Sequence, residues 1–176
     1  LKLSALEALY DYFQERGWIE DNPVSKIRRK KPPKKKHSVL SKDEVDRLIK
    51  VCDNKRDKAI IATLFSSVCR ISEIVSLNIT DIVQLPSDFE VEGVMLKVKK
   101  AKGDKDRDVI VPKEYFKYVV DYLETRDDDV ESLFISNRMK EIHPDTIREM
   151  IKVNIKKAGI KKKVTPHTFR RSGITY

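Results

Sequence analysis

The chain has 176 residues, of which 40% are hydrophobic and 37% are charged, and its formal net charge is +9. This length allows one domain, or one domain with part of another, and the apolar fraction suffices for a core. No apolar stretch approaches membrane-spanning length, so we expect no membrane partner, and the positive excess favours a polyanionic one. Cys52 and Cys69 lack metal-ligand spacing and lie in helical apolar patterns, which predicts buried thiols in a reducing cytoplasm.

The first predicted element is a helix over residues 1–16. Leu6, Leu9 and Phe13 share one face of this helix, and Gly17 is a natural stop. Trp18 follows directly, and we expect it to anchor the end of the helix rather than to stack on a base.

Residues 21–40 form a basic, proline-containing linker. Prolines keep the segment extended, and between residues 26 and 37 it carries eight lysines and arginines without an acidic residue. A solvated tail and a nuclear-localisation signal are alternative uses of such a run. The excess of charge favours a polyanionic partner, which would be contacted by Lys26, Arg28, Arg29, Lys30, Lys31, Lys34, Lys35 and Lys36.

Two helices are predicted next. Ser41 and Glu44 have the spacing of a capping box, and the helix that follows turns Val45, Leu48, Ile49 and Cys52 inward. Residues 53–58 are predicted as a turn. A second helix covers residues 59–68, with an apolar stripe on Ile61, Leu64, Phe65 and Val68.

A break at residues 66–67 precedes a short helix from about Ser72, and Arg70 lies between the two. A guanidinium fixed at a break between buried helices is a good bidentate ligand for phosphate. The alternative is a surface arginine with a local partner in Glu73, three residues further on.

The hydrophobic period then changes from helical to alternating. Val94, Leu96 and Val98 predict a strand with one wet face, residues 103–104 a turn, and residues 109–111 a return strand, with Lys102 at the tip of the hairpin. Residues 80–81 and 86–88 are predicted as loop. Lysines also protect strand edges from pairing, which accounts for most of the lysines here.

The last third of the chain is again helical. Pro112 opens a helix with Phe116, Val119, Val120 and Leu123 inward, and its tyrosines 115, 118 and 122 are expected to pack. Residues 132–136 are predicted as a short strand. A helix runs from residues 143–145 to Gly159, with His143 as a loop residue and not a ligand. Thr165 or His167 is predicted to cap the final helix, which carries Arg170.

Three of these segments resemble the motifs of the tyrosine recombinases, the family of phage-type integrases and Xer-type resolvases. Arg-Ile-Ser-Glu-Ile-x-x-Leu at residues 70–77 resembles the first arginine box, and His167 with Arg170 resembles the His-x-x-Arg box. Residues 99–112 resemble the lysine-bearing hairpin, with Ala101 where the family has glycine. The resemblance implies an α+β fold: a mostly α-helical catalytic core with a small antiparallel β-hairpin or sheet.

The resemblance also implies a reaction. A tyrosine attacks a DNA phosphodiester, a 5′-hydroxyl leaves, and a 3′-phosphotyrosine conserves the bond energy for rejoining. It assigns Arg70 and Arg170 to the phosphate, Lys102 to protonation of the leaving oxygen and His167 to proton relay, with Glu73 orienting Arg70. The family uses no cofactor or metal. The implied partners are double-stranded DNA, whose phosphates the basic residues of the linker would contact without reading bases, and, for the full-length protein, further copies in a tetramer.

The family pattern divides the chain into three parts. Residues 1–20 resemble the last helix of an N-terminal core-binding domain, residues 21–40 the linker, and residues 41–176 a catalytic domain without its C-terminal part. Tyr176 lies only six positions after Arg170, which is not the place of the family's nucleophile. We therefore expect the nucleophile to be absent from this chain, which should bind DNA but not cleave it.

Two alternative functions fit the same residues. A non-catalytic relative could bind DNA through the basic linker alone, with salt-dependent affinity. A type IB topoisomerase uses similar residues on one duplex, and would relax DNA without exchanging strands between molecules.

Overall fold

The computed structural model describes residues 2–27, 38–86, 89–101 and 105–175. Mostly helical, with one three-stranded antiparallel sheet, it confirms the predicted fold class. None of the helices in these ranges is long and apolar enough to cross a bilayer. The elements are α1 (Lys2–Glu15), α2 (Lys42–Val51), α3 (Lys55–Ser66), α4 (Ile71–Val75), a 3-10 turn (Ile79–Asp81), β1 (Ile82–Gln84), β2 (Gly93–Ala101), β3 (Lys105–Pro112), α5 (Lys113–Leu123), α6 (Pro144–Lys157) and α7 (Pro166–Thr175).

Contacts divide the chain into two compact units, Leu1–Lys36 and His37–Tyr176. In the smaller unit α1 ends as predicted, with Gly17 at a φ of +69°. Trp18 is 66% exposed, and its ring lies 5.5 Å from that of Phe13, so it covers the end of the helix. The buried Asn22 fastens the following loop to α1 through the carbonyl of Glu7, at 3.2 Å.

The larger unit is built around α3. This helix is buried on every side over Ala59–Phe65, and it packs against α2, α5 and α7. The prediction of a turn over residues 53–58 was wrong, because Asn54 accepts a 2.8 Å hydrogen bond from the Asp57 amide and starts the helix at Lys55. The Ser41–Glu44 capping box of α2 is confirmed.

The sheet has the order β1-β2-β3 and all its pairs are antiparallel. Val94 lies opposite Val111 and Leu96 opposite Val109, so the buried face follows the predicted alternation. Strand β1 was not predicted, since three residues are too few for a period of two to be recognised. The strand predicted at residues 132–136 was wrong, because only isolated bridges form at Ser132 and Ile135.

Helices α5 and α6 close the sides of this core. Tyr115 and Tyr122 are buried on α5, as predicted for packing groups, whereas Val120 is 40% exposed and its predicted inward position was wrong. His143 is the N-cap of α6, where its Nδ1 accepts from the Asp145 amide at 3.3 Å. The predicted stop at Gly159 is confirmed by its φ of +66°.

Helix α7 lies directly against α3. A β-carbon on Gly173 would stand 2.2 Å from the carbonyl oxygen of Phe65 and 2.9 Å from a methyl group of Val68. On the same helix, the buried Ser172 hydroxyl accepts a 2.8 Å hydrogen bond from the Leu40 amide and donates to the Thr168 carbonyl. The segment that enters the larger unit is thereby fastened to α7.

The close approach at Gly173 predicts a specific destabilisation. Gly173→Ala should lower the free energy of unfolding by about 1–3 kcal/mol, because the added methyl group displaces α7 from α3. Ile174→Ala, at an exposed position of the same helix, is the control and should change stability by less than about 0.5 kcal/mol. Urea unfolding measures both, and equal stability of the two variants would contradict the packing described here.

Candidate active site

The turn between α3 and α4 places a backbone carbonyl beside the final helix. The Ser67 hydroxyl donates to the Thr63 carbonyl at 2.6 Å, and Val68 then adopts a φ of +55°. This left-handed conformation is rare for a β-branched residue and costs on the order of 1–3 kcal/mol. It presents the Val68 carbonyl to Arg170, whose Nη1 donates to it at 2.8 Å.

Glu73 holds Arg70 at the start of α4. The Arg70 amide donates to Oε2 of Glu73 and the Arg70 Nη1 donates to Oε1, both at 2.7 Å. The Glu73 side chain is only 5% exposed, whereas that of Arg70 is 40% exposed. A buried carboxylate therefore fixes both the backbone and the guanidinium of Arg70, and the contact predicted between the two residues is present.

A third arginine, which the sequence motifs did not indicate, binds the same carboxylate. Arg107 of β3 donates from Nη1 to Oε1 of Glu73 at 2.9 Å and from Nη2 to Oε2 at 2.7 Å. In the sequence, Arg107 stands between two aspartates and lies at an even spacing from Val111. In the structure Asp106 and Asp108 are exposed and Val111 is buried. Alternation puts Arg107 on the covered face, where a charge requires a partner.

Helix α7 supplies the opposite wall of a cleft of about 130 Å³, lined by Cys69, Arg70, Ile71, Pro166, His167 and Arg170. His167 is exposed in the first turn of α7. His167 lies inside α7 and does not cap it. Thr165 directly precedes the helix, and its amide donates to the Thr168 hydroxyl at 3.1 Å. Arg70, His167 and Arg170 thus meet at one cleft, although 100 residues separate Arg70 from Arg170.

The charges at this cleft do not balance. Arg70, Arg107 and Arg170 lie within 3.8 Å of Glu73, so three positive charges and one negative charge leave a formal +2. Burial raises the pKa of Glu73, but hydrogen bonds from Arg107 and Arg70 outweigh it and lower that pKa to about 2. Burial raises the pKa of the adjacent Cys69 thiol. The cleft is therefore cationic at every physiological pH, and its chemistry suits an oxyanion such as a phosphate.

Several predicted site residues belong to parts of the chain that the structure does not describe, and two basic residues that it does describe pair elsewhere. Lys102 and the basic residues Arg28, Arg29, Lys30, Lys31, Lys34, Lys35 and Lys36 lie outside the described ranges, as does Tyr176. Lys26 is exposed and its Nζ lies 3.3 Å from the carboxylate of Asp21. Lys162, in the basic turn before α7, donates to the Val39 carbonyl at 2.9 Å and to Glu44 at 2.7 Å.

The helical core, the small sheet and the cleft between two arginine segments define the class: an integrase-type catalytic domain. Residues 38–175 match the model of the phage integrase family, and the chain belongs to that family.

Named relatives agree with this assignment. The chain is 34% identical over 174 residues to a tyrosine recombinase XerA from Pyrococcus horikoshii, covering 97% of this chain and 57% of the relative. It is 32% identical to a tyrosine recombinase from Thermosipho africanus, covering 99% of this chain and 59% of the relative. The chain therefore spans under two thirds of the length of these relatives.

Solved structures show the same fold. The crystal structure of a XerA recombinase superposes with a TM-score of 0.68 at 34% identity, over 97% of this chain and 59% of that one. A λ integrase fragment, solved as a dimer bound to a core site, gives a TM-score of 0.76 at 17% identity, over 98% of this chain and 63% of that one. At that low identity the second comparison shows the fold alone.

The depressed pKa of Glu73 predicts how stability changes with acidity. Because that pKa is about 2 in the folded chain against an ordinary 4.5, the stability that Glu73 contributes is complete above pH 4.5 and is lost as the pH falls toward 2. Glu73→Gln should lower the free energy of unfolding at neutral pH by about 3 kcal/mol and flatten its decline in that window. Urea unfolding at a series of pH values measures both effects.

Glu114→Gln is the control, since Glu114 pairs with Lys42 on the surface. Its pH profile should follow that of the parent chain. A profile for Glu73→Gln parallel to that of the parent would contradict the ion-pair arrangement.

Proposed function

We propose that this chain supplies the phosphate-activating part of a site-specific DNA recombinase that cleaves and rejoins strands through a 3′-phosphotyrosine. One observation carries the proposal: Arg70, His167 and Arg170 line a single cleft that is formally +2. Membership of the phage integrase family and likeness to tyrosine recombinases support the same reaction. The target DNA sequence is not part of the proposal.

In this proposal the two cleft arginines bind the non-bridging oxygens of the scissile phosphate. Guanidinium groups remain protonated and offer two donors in one plane, so they match a phosphate that gains charge as the nucleophile attacks. Arg170 is aimed by the Val68 carbonyl and Arg70 by Glu73, so neither has to be ordered at the moment of reaction. Preorganisation of this kind replaces the charge neutralisation that a metal ion supplies elsewhere.

Proton transfer is assigned to His167 and Lys102. His167 stands exposed at the cleft, where an imidazole can take the proton of an attacking phenol or hold a non-bridging oxygen. Lys102 follows β2 in the chain, and we assign to its ammonium the protonation of the leaving 5′-oxygen. The attacking tyrosine is placed outside residues 1–176, so the 176-residue chain should bind DNA without cleaving it.

The basic linker is assigned to the DNA backbone. Its lysines and arginines would contact phosphates on either side of the cleavage point without reading bases. Among the solved structures that share the fold, λ integrase is a dimer on a core site in one and a tetramer on a Holliday junction in another. We extend such assembly on DNA to the intact protein that contains this chain.

Removal of a cleft arginine should abolish most of the cleavage. Arg70→Ala and Arg170→Ala in the intact gene product should each slow formation of the covalent protein–DNA species on a nicked suicide substrate by about 10²–10³-fold. Arg148→Ala is the control, because Arg148 pairs with Asp145 on the exposed face of α6. Full-rate cleavage by Arg70→Ala would sink the proposed role of the cleft.

Two further outcomes separate the alternative functions. A wild-type protein that binds DNA but forms no covalent species indicates a non-catalytic DNA-binding relative. Relaxation of supercoiled DNA without exchange between two duplexes indicates a topoisomerase.

The linker should contribute affinity in proportion to the number of phosphates that it neutralises. Replacement of Lys30, Lys31 and Lys34 by alanine should reduce the slope of log K against log salt by about 0.9 for each phosphate that is no longer neutralised. A triple alanine variant at the exposed positions Lys50, Lys152 and Lys156 has the same change of net charge and is the control. Fluorescence anisotropy with a labelled duplex at several salt concentrations measures both, and equal slopes would refute the assignment.

A further inference from the structure

Arg107 is not one of the residues that the recombinase motifs assign, yet both of its hydrogen bonds to Glu73 come from the side chain, whereas one of Arg70's comes from the backbone. Its two terminal nitrogens bind the two carboxylate oxygens at 2.9 and 2.7 Å, the parallel geometry of a guanidinium–carboxylate fork. Its side chain is 30% exposed and Glu73 is 5% exposed, so the pair is largely withdrawn from solvent. Such a contact is stronger and better fixed than a surface ion pair.

The carboxylate of Glu73 is saturated by this arrangement. Oε1 accepts from Arg70 and Arg107, and Oε2 accepts from the Arg70 amide and Arg107, so each oxygen uses both of its lone-pair directions. Arg170 stands 3.8 Å from Oε2, beyond hydrogen-bond distance, and donates to the Val68 carbonyl instead. Arg107 thus occupies the acceptor sites that Arg170 could otherwise take.

Without Arg107 the same carboxylate would have two open acceptor sites, one on each oxygen, beside Arg70 and Arg170. Arg170 needs to move by less than 1 Å to come within hydrogen-bond distance of Oε2, and the attraction between a buried carboxylate and a nearby guanidinium favours that move. The atom nearest Oε2 is Nη1, which now donates to the Val68 carbonyl, so a bond to Glu73 would compete with the contact that orients Arg170.

We propose that Arg107 is a positioning residue that saturates Glu73 and thereby keeps Arg70 and Arg170 available to the scissile phosphate. For its catalytic consequence this rests on the function proposed above. Arg107 also belongs to the strand that returns from the hairpin of Lys102, where it pairs in register with Val98. Its fork to Glu73 therefore ties that strand to the start of α4, the place of Arg70.

The test compares Arg107→Ala, Arg107→Lys and the control Arg56→Ala in the intact gene product. Arg56 is also partly buried, pairing with Asp57 and donating to the Ile135 carbonyl, but it lies outside the cleft. Arg107→Ala should slow single-turnover cleavage of a nicked suicide substrate by about 10–100-fold, with DNA affinity changed less than threefold. Arg107→Lys should recover only part of the rate, because an ammonium cannot form the fork.

A double-mutant cycle shows whether Arg107 acts through Glu73. Arg107→Ala should cause no further decrease of rate in a Glu73→Ala background, and Glu73→Gln provides a second background if the first fails to fold. Additive decreases in both backgrounds would overturn the proposal. So would a wild-type rate for Arg107→Ala, or a decrease that follows the melting temperature equally in Arg107→Ala and Arg56→Ala.

A readout without catalysis separates this proposal from the proposed function. Proton exchange at the Nη protons of Arg170, followed by NMR in the ¹⁵N-labelled 176-residue chain, should be about tenfold slower in Arg107→Ala, because Nη1 of Arg170 then pairs with the buried Glu73. Unchanged exchange overturns the positioning role even if the parent protein cleaves DNA. Slowed exchange together with a parent protein that forms no covalent species leaves the ion-pair arrangement standing and removes the proposed reaction.

Discussion

Three guanidinium groups around one point repel one another, and a negative charge among them offsets that repulsion. Glu73 is that charge, and its burial makes the attraction stronger than it would be in water. The cost of burying a carboxylate is offset by four hydrogen bonds, two from Arg70 and two from Arg107. The net positive charge that remains is then a fixed property of the fold. The cationic cleft is therefore formed before an anion binds.

The backbone around this carboxylate is as constrained as the charges. The left-handed Val68 turns a carbonyl toward Arg170, and the missing side chain of Gly173 lets α7 approach closely enough for that contact. Strain at Val68 is tolerated because its neighbours are held, Ser67 by Thr63 and Cys69 by Ser67. The strained backbone of Val68 and the close contact of α7 with α3 thus both contribute to the placement of the Arg170 guanidinium.

The sequence predicts those parts of this arrangement that are local. The capping box at Ser41, the alternation along β2 and the pair Arg70–Glu73 each lie within a few residues, and each is present in the structure. Arg107 was not predicted because its partner is 34 residues away and is reached only through the register of the hairpin. The positive φ of Val68 could not be foreseen either, since β-branched residues disfavour it and only the surrounding packing enforces it. Strand β1 is too short to carry a periodic pattern. Val120 belongs to the apolar stripe of α5 but is exposed, so the stripe does not show how many of its residues are buried.

The hydrogen bond between the Leu40 amide and the Ser172 hydroxyl has a mechanical consequence. Ser172 is on the helix that carries His167 and Arg170. The two residues before Leu40 are bound to the segment that leads into that helix, because Ser38 donates to the Lys163 carbonyl and the Val39 carbonyl accepts from Lys162. Residues 38–40 and the wall of the cleft that carries Arg170 are therefore joined at three points, and a displacement of one would displace the other.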